Sequence, residues 1–391
     1  MAAAKISRNE KVRLKGKQKK SGFDRWRLVV SGISSMTGAE KTFLLEFYLL
    51  NPILSSDEPV LGFKNRLSND GKDLQFILAG SDGAKNSSSQ EFVVPSFLMI
   101  RAGILTDRTI INSYYPCADV DYVSKGVIIS LDKEKHKECV LGENYTKGVV
   151  SVTDKDLIDH PEYMCNTGSV AWNLRIEKKR PVRKGYKSKS LNWYVPSGCV
   201  EFTGLIRYNN EDYTVNPKTS FGFYDKNWGG DFANPFLHLN SSFISSEITG
   251  SMLSQTSFCV QGEYDGSFFL FVVYNGKVFE FSQSRLKRSS VICSCQESPE
   301  AEEGQRLHWN VSAENSSMVV DIDIFCNTSE MFLRDYESPE GERKVMRVLG
   351  GSTGYGKICI YKKQKKALEL IEQAEIKKCL CEYGNIEYGA R

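Results

Sequence analysis

Residues 257–281, SFCVQGEYDGSFFLFVVYNGKVFEF, read as three strands folded back on one another. Asp265–Gly266 and Asn275–Gly276 tolerate the positive φ angles of tight hairpin turns, and the runs between them are rich in Phe and Val, which suit a pleated surface. The same style continues outward. RLHWNVSAENSSMVVDIDIFC (306–326) is a further hairpin, and CVEFTGLIRYNNEDYTV (199–215) turns at Asn209–Asn210. GSVAWNLRIEK (168–178) alternates, with Val170, Trp172, Leu174 and Ile176 on one face and Ala171, Asn173, Arg175 and Glu177 on the other. RWRLVVSGI (25–33) and TFLLEFYLL (42–50) are joined by a hairpin-like connector holding Gly38. Residues 73–80, 96–105, 126–131, 149–153 and 356–363 are also expected as strands, with GGSTGYGK (350–357) as a turn. The stretch 363–380 has helical propensity and fits a closing strand equally well.

Many short antiparallel strands with little helix imply an all-β protein of barrels or sandwiches. With 391 residues, two small barrels in tandem are expected. The expected division is a basic, unstructured leader at 1–21, an N-terminal barrel at 22–180, a linker at 181–196 and a C-terminal barrel at 197–391. The leader is marked by charge: residues 1–20 carry eight Lys or Arg against one Glu, whereas the rest of the chain is mildly acidic. It has no aromatic interleaving and no amphipathic stripe, so no nucleic-acid partner is expected. No apolar run follows the N-terminal charges and none is long enough to span a bilayer, which predicts a cytoplasmic protein without integral membrane association, transient membrane contact aside. The eleven cysteines then read as thiols. Cys293-x-Cys295 and Cys379-x-Cys381 are pairs facing one way on a strand, and no metal site is expected. No phosphate-binding glycine motif is present, so no cofactor is expected. Oligomeric state is not legible.

FGFYDKNWGGDF (221–232) is the stretch with chemistry in it. Asp225, Lys226, Asn227 and Trp228 sit side by side. Two readings stand together. In one, Asp225 and Asn227 bond local backbone at a corner and Trp228 plugs a barrel end. In the other, the cluster faces a ligand, and Asp225 is an acid that burial would make a proton donor while Lys226 opposes that. Of the four histidines, His238 follows the motif and is the one expected to reach a ligand.

These residues carry a resemblance. The pattern Tyr213-x-Val215-x-Pro217, then Phe221-Gly222-Phe223, then Asp225-Lys226-Asn227-Trp228-Gly229 resembles the signature of the tocopherol cyclase-like family, related to the hydroxyneurosporene synthases (carotenoid hydratases) and to lipocalin-like Diels–Alderases. GFDRWRLVVSGI resembles the family's first strand, with Trp26 in place and Arg25 where glycine is usual; residues 160–179 resemble its bacterial branch, and CEYG (381–384) also fits. The resemblance runs from about residue 22 to the end. It implies two packed lipocalin-like (calycin) barrels with a cavity at their junction, binding an apolar, isoprenoid-, prenylquinol- or polyene-like small molecule. The activity it implies is acid-promoted cyclisation or hydration of an alkene, with Asp225 as acid and Asn227 orienting it or the substrate oxygen. Trp228, Trp26, Phe223, Tyr224, Lys226 and His238 would contact the ligand. Pro235-Phe236-Leu237-His238 departs from the Trp-rich P-W-x-W of relatives. A non-catalytic carrier or sensor using the same cavity is the alternative.

Overall fold

The computed structural model describes residues 7–54, 57–62, 93–264, 266–283, 289–300, 304–341, 344–365 and 367–388. The strand expected at 73–80 lies outside them, as does Asp265.

Thirteen strands form the first sheet: β1 Phe23–Ser34, β2 Glu40–Leu50, β3 Phe97–Ile104, β4 Thr109–Tyr115, β5 Val120–Asp121, β6 Val127–Leu131, β7 Val140–Gly142, β8 Tyr145–Val152, β9 Gly168–Lys178, β10 Leu191–Tyr194, β11 Val200–Tyr208, β12 Glu211–Val215 and β13 Gly222–Gly229. Ten form the second: β14 Phe236–Ser246, β15 Ser257–Glu263, β16 Phe268–Tyr274, β17 Lys277–Ser282, β18 Ser290–Glu300, β19 Gly304–Glu314, β20 Met318–Asn327, β21 Phe332–Glu337, β22 Lys344–Lys363 and β23 Leu368–Tyr388. Both sheets are antiparallel half-barrels, so the all-β architecture in two packed halves is as expected. The hairpin turns at Gly38, Asn209 and Asn275–Gly276 all adopt positive φ. Residues 368–388 resolve the ambiguity near the end as strand.

Each curl has its own core. Trp26, Leu28, Phe47, Ile100, Trp172 and Phe202 fill the first. Leu239, Phe258, Trp309, Ile322 and Ile360 fill the second. A third cluster lies where the sheets meet and draws from both: Phe23, Tyr48, Trp193 and Phe223 from one, Phe236, Phe269, Tyr336 and Met346 from the other. Period-two alternation explains the burial patterns. On β9 one face is buried and its opposite exposed, whereas β1, between the first core and the junction, is buried on both faces.

Three expectations change. The change of sheet falls between β13 and β14, not at 181–196: β10 lies inside that stretch, and β11 to β13 follow it in the first sheet. Its lysines and arginines suggest a linker, but Val182, Tyr186, Leu191, Trp193 and Val195 between them are buried at the junction. The described part of the leader, residues 7–21, is docked rather than loose. Leu14 and Glu10 are buried, the Trp26 indole donates to the Glu10 carbonyl (2.7 Å), and Lys178 pairs with the Glu10 carboxylate. The Arg13 N–H also donates to Asp24 at 2.5 Å, so a segment whose composition looks fully solvated is held by a few specific contacts. Finally, 350–357 is not a turn but part of β22, where the register shifts around Gly354; a Cβ there would lie 2.3 Å from the Cys381 sulfur.

Candidate functional site

The strand β13 carries the DKNWG motif, paired with β1 on one side and β10 on the other. Alternation divides the motif between two environments. Tyr224, Lys226 and Trp228 point toward the first curl, while Phe223, Asp225 and Asn227 point toward the junction.

On the first-curl side, the Lys226 ammonium lies 4.6 Å from the Trp26 ring centroid and 5.1 Å from that of Trp228. It pairs with Asp24 at 2.8 Å and donates to the Lys11 carbonyl of the docked leader. Burial pushes the amine down to about 8 despite the opposing pull of Asp24, and burial likewise raises the Asp24 carboxyl. Among the described residues the Tyr224 hydroxyl is buried without a partner. These residues seal one end of the first curl rather than line the junction.

On the junction side, Asp225 accepts from Arg27 through Nε (3.0 Å) and Nη2 (2.7 Å), and from the Trp193 indole (2.7 Å). Arg27 also donates to Glu382 on β23, which in turn pairs with Arg334 on β21. Burial alone would raise the Glu382 carboxyl, but the two guanidiniums outweigh it and hold it far below the usual carboxylate range. His238 on β14 faces Arg27 Nη2 at 3.2 Å. Since a guanidinium only donates, His238 Nε2 accepts and its proton sits on Nδ1. Burial, then the adjacent Arg27 charge, pushes this imidazole down to about 3. Asp225, Phe223 and His238 thus belong to one buried network that ties the halves together, with the Phe223 and His238 rings 5.4 Å apart.

Two residues along β13, Asn227 faces a small cavity of about 20 Å³, lined also by Phe23, Arg25, Leu191, Phe232, Ala233, Phe236, Gln261 and Met346. Gln261 Nε2 donates to Asn227 Oδ1 at 2.9 Å. Among the described residues, that leaves Asn227 Nδ2, Gln261 Oε1 and Arg25 Nε buried without a partner. Phe232 and Ala233 come from the connector between β13 and β14, where Phe232 stacks on Phe23 (4.7 Å between centroids) and Asp231 is held by Lys344 at 2.6 Å. Two larger clefts lie elsewhere. One of about 260 Å³ has Arg101 in its lining, but that guanidinium is engaged by Asn112, Glu46 and the Asp335 carbonyl. One of about 310 Å³ lies on the outer face of β8, β9 and β11.

Among the expected residues, only Asn227 lines the junction cavity. Arg25, Gln261, Trp193 and Glu382 are the ones sequence reasoning missed. The signal for Arg25 was available: two arginines flank Trp26 in a strand otherwise apolar enough to be buried on both faces.

No family model matches this chain, and no curated protein does. Among solved structures it is similar to CghA (TM-score 0.45, 7% identity, covering 95% of this chain and 90% of that one). It is also similar to CghA with Sch210972 (TM-score 0.43, 9% identity, 95% and 90%). A third is NE1406 from Nitrosomonas europaea, described as an AttH (TM-score 0.37, 9% identity, 96% and 99%). Likenesses this distant carry no argument about what the chain does. Among the described residues no helix is long and apolar enough to cross a membrane, which says nothing of strands.

Proposed function

We propose that the protein binds a small, largely apolar molecule at the junction of its two sheets. The observation that supports this is the Asn227–Gln261 pair: two carboxamides bonded to each other, each with a buried polar atom left over, in a cavity walled by Phe23, Phe232, Phe236 and Met346. Buried polar atoms are almost always satisfied, and few oriented polar groups in an apolar wall are the usual grammar of a ligand site. As it stands the cavity holds about one water. A larger guest enters when residues 230–235 swing outward, which separates Phe232 from Phe23 and Asp231 from Lys344. Asp225 does not line the cavity, and three N–H donors already occupy its oxygens, so we assign it to holding the junction rather than to protonating an alkene. On this reading the carrier or sensor alternative is preferred.

The test is titration with the methyl ester of cis-parinaric acid, whose fluorescence rises on leaving water. Saturable binding near one equivalent is expected, abolished by Ala233→Trp, which fills the cavity, with the circular dichroism spectrum retained. No binding, or binding that A233W leaves intact, would overturn the proposal.

A further inference from the structure

We infer that the junction cavity recognises a carboxylate, with Arg25 as the group that binds it; this rests on the junction being a ligand site. Arg25 is 6% exposed. Its neighbours across the sheet are Tyr48 on β2 and Asn227 on β13. Neither can neutralise it: Asn227 is an amide, and the Tyr48 hydroxyl donates to the Glu337 carbonyl at 2.6 Å. Among the described residues no carboxylate pairs with Arg25, its Nε is buried without an acceptor, and its guanidinium rests on the Tyr336 ring at 4.8 Å. Every other arginine at this junction has oxygen partners: Arg27 on Asp225 and Glu382, Arg334 on Glu382, Arg101 on Glu46.

A buried, unpaired guanidinium is costly. It is worth keeping where an anion from outside completes it. The shape of the site narrows the anion. A guanidinium matches a planar carboxylate through two parallel bonds, and Asn227 Nδ2 offers a further donor on the adjacent strand. Gln261, also in the lining, has a buried acceptor left over in Oε1, which disfavours a phosphate carrying two charges and suits a ligand hydroxyl beside the acid. The cavity of about 20 Å³ takes a head group, not a whole molecule. The apolar remainder would then lie beneath Phe232 and Phe236. The ligand class is therefore an apolar carboxylic acid.

The experiment compares cis-parinaric acid with its methyl ester on the full chain. Wild type is expected to bind the acid at least about tenfold more tightly than the ester, as charge-assisted bonds require. Arg25→Met should remove that preference, judged as the ratio of acid to ester affinity; Arg25→Lys should restore part of it. Should R25M fail to fold, Arg25→Gln carries the same expectation. Ester binding with no acid preference in wild type, or a preference that survives both R25M and R25Q, overturns the carboxylate assignment while the junction site stands. Absence of binding by either probe overturns both.

Discussion

Two cross-strand pairs stand one pleat apart on the junction face of the first sheet, and they are built oppositely. Arg27 has Glu46 beside it on β2 and Asp225 on β13, and reaches Glu382 in the other sheet. Arg25 has Tyr48 and Asn227 in the same two places. Both guanidiniums are buried to a similar degree. One pair is complete and joins the halves. The other has the cation and lacks the anion. The difference teaches that burial of charge at this junction is not in itself structural; the neighbours decide whether it holds the fold or waits for a guest.

The sharpest way to break this distinction is to remove each arginine in turn. Arg27→Met strands Asp225 and Glu382 in an apolar junction, and breaking one partner out of a buried ion pair costs roughly 3–5 kcal/mol. Arg25→Met strands no carboxylate and should cost less than about 1 kcal/mol, or stabilise. Urea denaturation monitored by tryptophan fluorescence measures both. Equal losses would mean that the two arginines do the same work.

A smaller effect concerns pH. His238 completes the Arg27 side, and its imidazole is pushed down to about 3 from an ordinary 6.5. The unfolded chain therefore takes up a proton between those values that the folded chain refuses. Stability from this group is complete above pH 6.5 and is lost as pH falls toward 3. His238→Gln, whose carbonyl still accepts from Arg27, should lack that loss, narrowing the acid deficit by about 1–2 kcal/mol at pH 5. Denaturation curves for both proteins at pH 7 and pH 5 decide it: the same acid loss in wild type and H238Q would mean that His238 is not buried neutral.

The fold was legible where local chemistry sufficed. Asn275–Gly276, Asn209 and Gly38 mark hairpins by their backbone needs alone, and β9 shows its solvent face by alternation. The sheet boundary was not, because the basic stretch 181–196 hides five buried side chains, two of them on β10, and pairing between β10 and β13 is a tertiary fact. The site was half legible. DKNWG was found as polar residues in an apolar setting, but a strand sends neighbours to opposite faces, so Lys226 and Trp228 serve the first curl while Asp225 and Asn227 serve the junction. Gln261 and Glu382 come from the second sheet, and nothing in their local sequence announces where they meet the first.

The smallest expected change in stability tests the comparison most directly. Asn227→Asp would supply the acid that Arg25 lacks, making the second pair a copy of the first. A buried ion pair roughly breaks even, because desolvation consumes what attraction gives, so stability should shift by no more than about 1 kcal/mol in either direction. The consequence for recognition is larger. The new carboxylate would occupy the guanidinium and repel an incoming one, so cis-parinaric acid should lose its advantage over the methyl ester while the ester still binds. Retention of the acid preference in N227D would show that Arg25 and Asn227, opposite one another in the sheet, do not share a ligand.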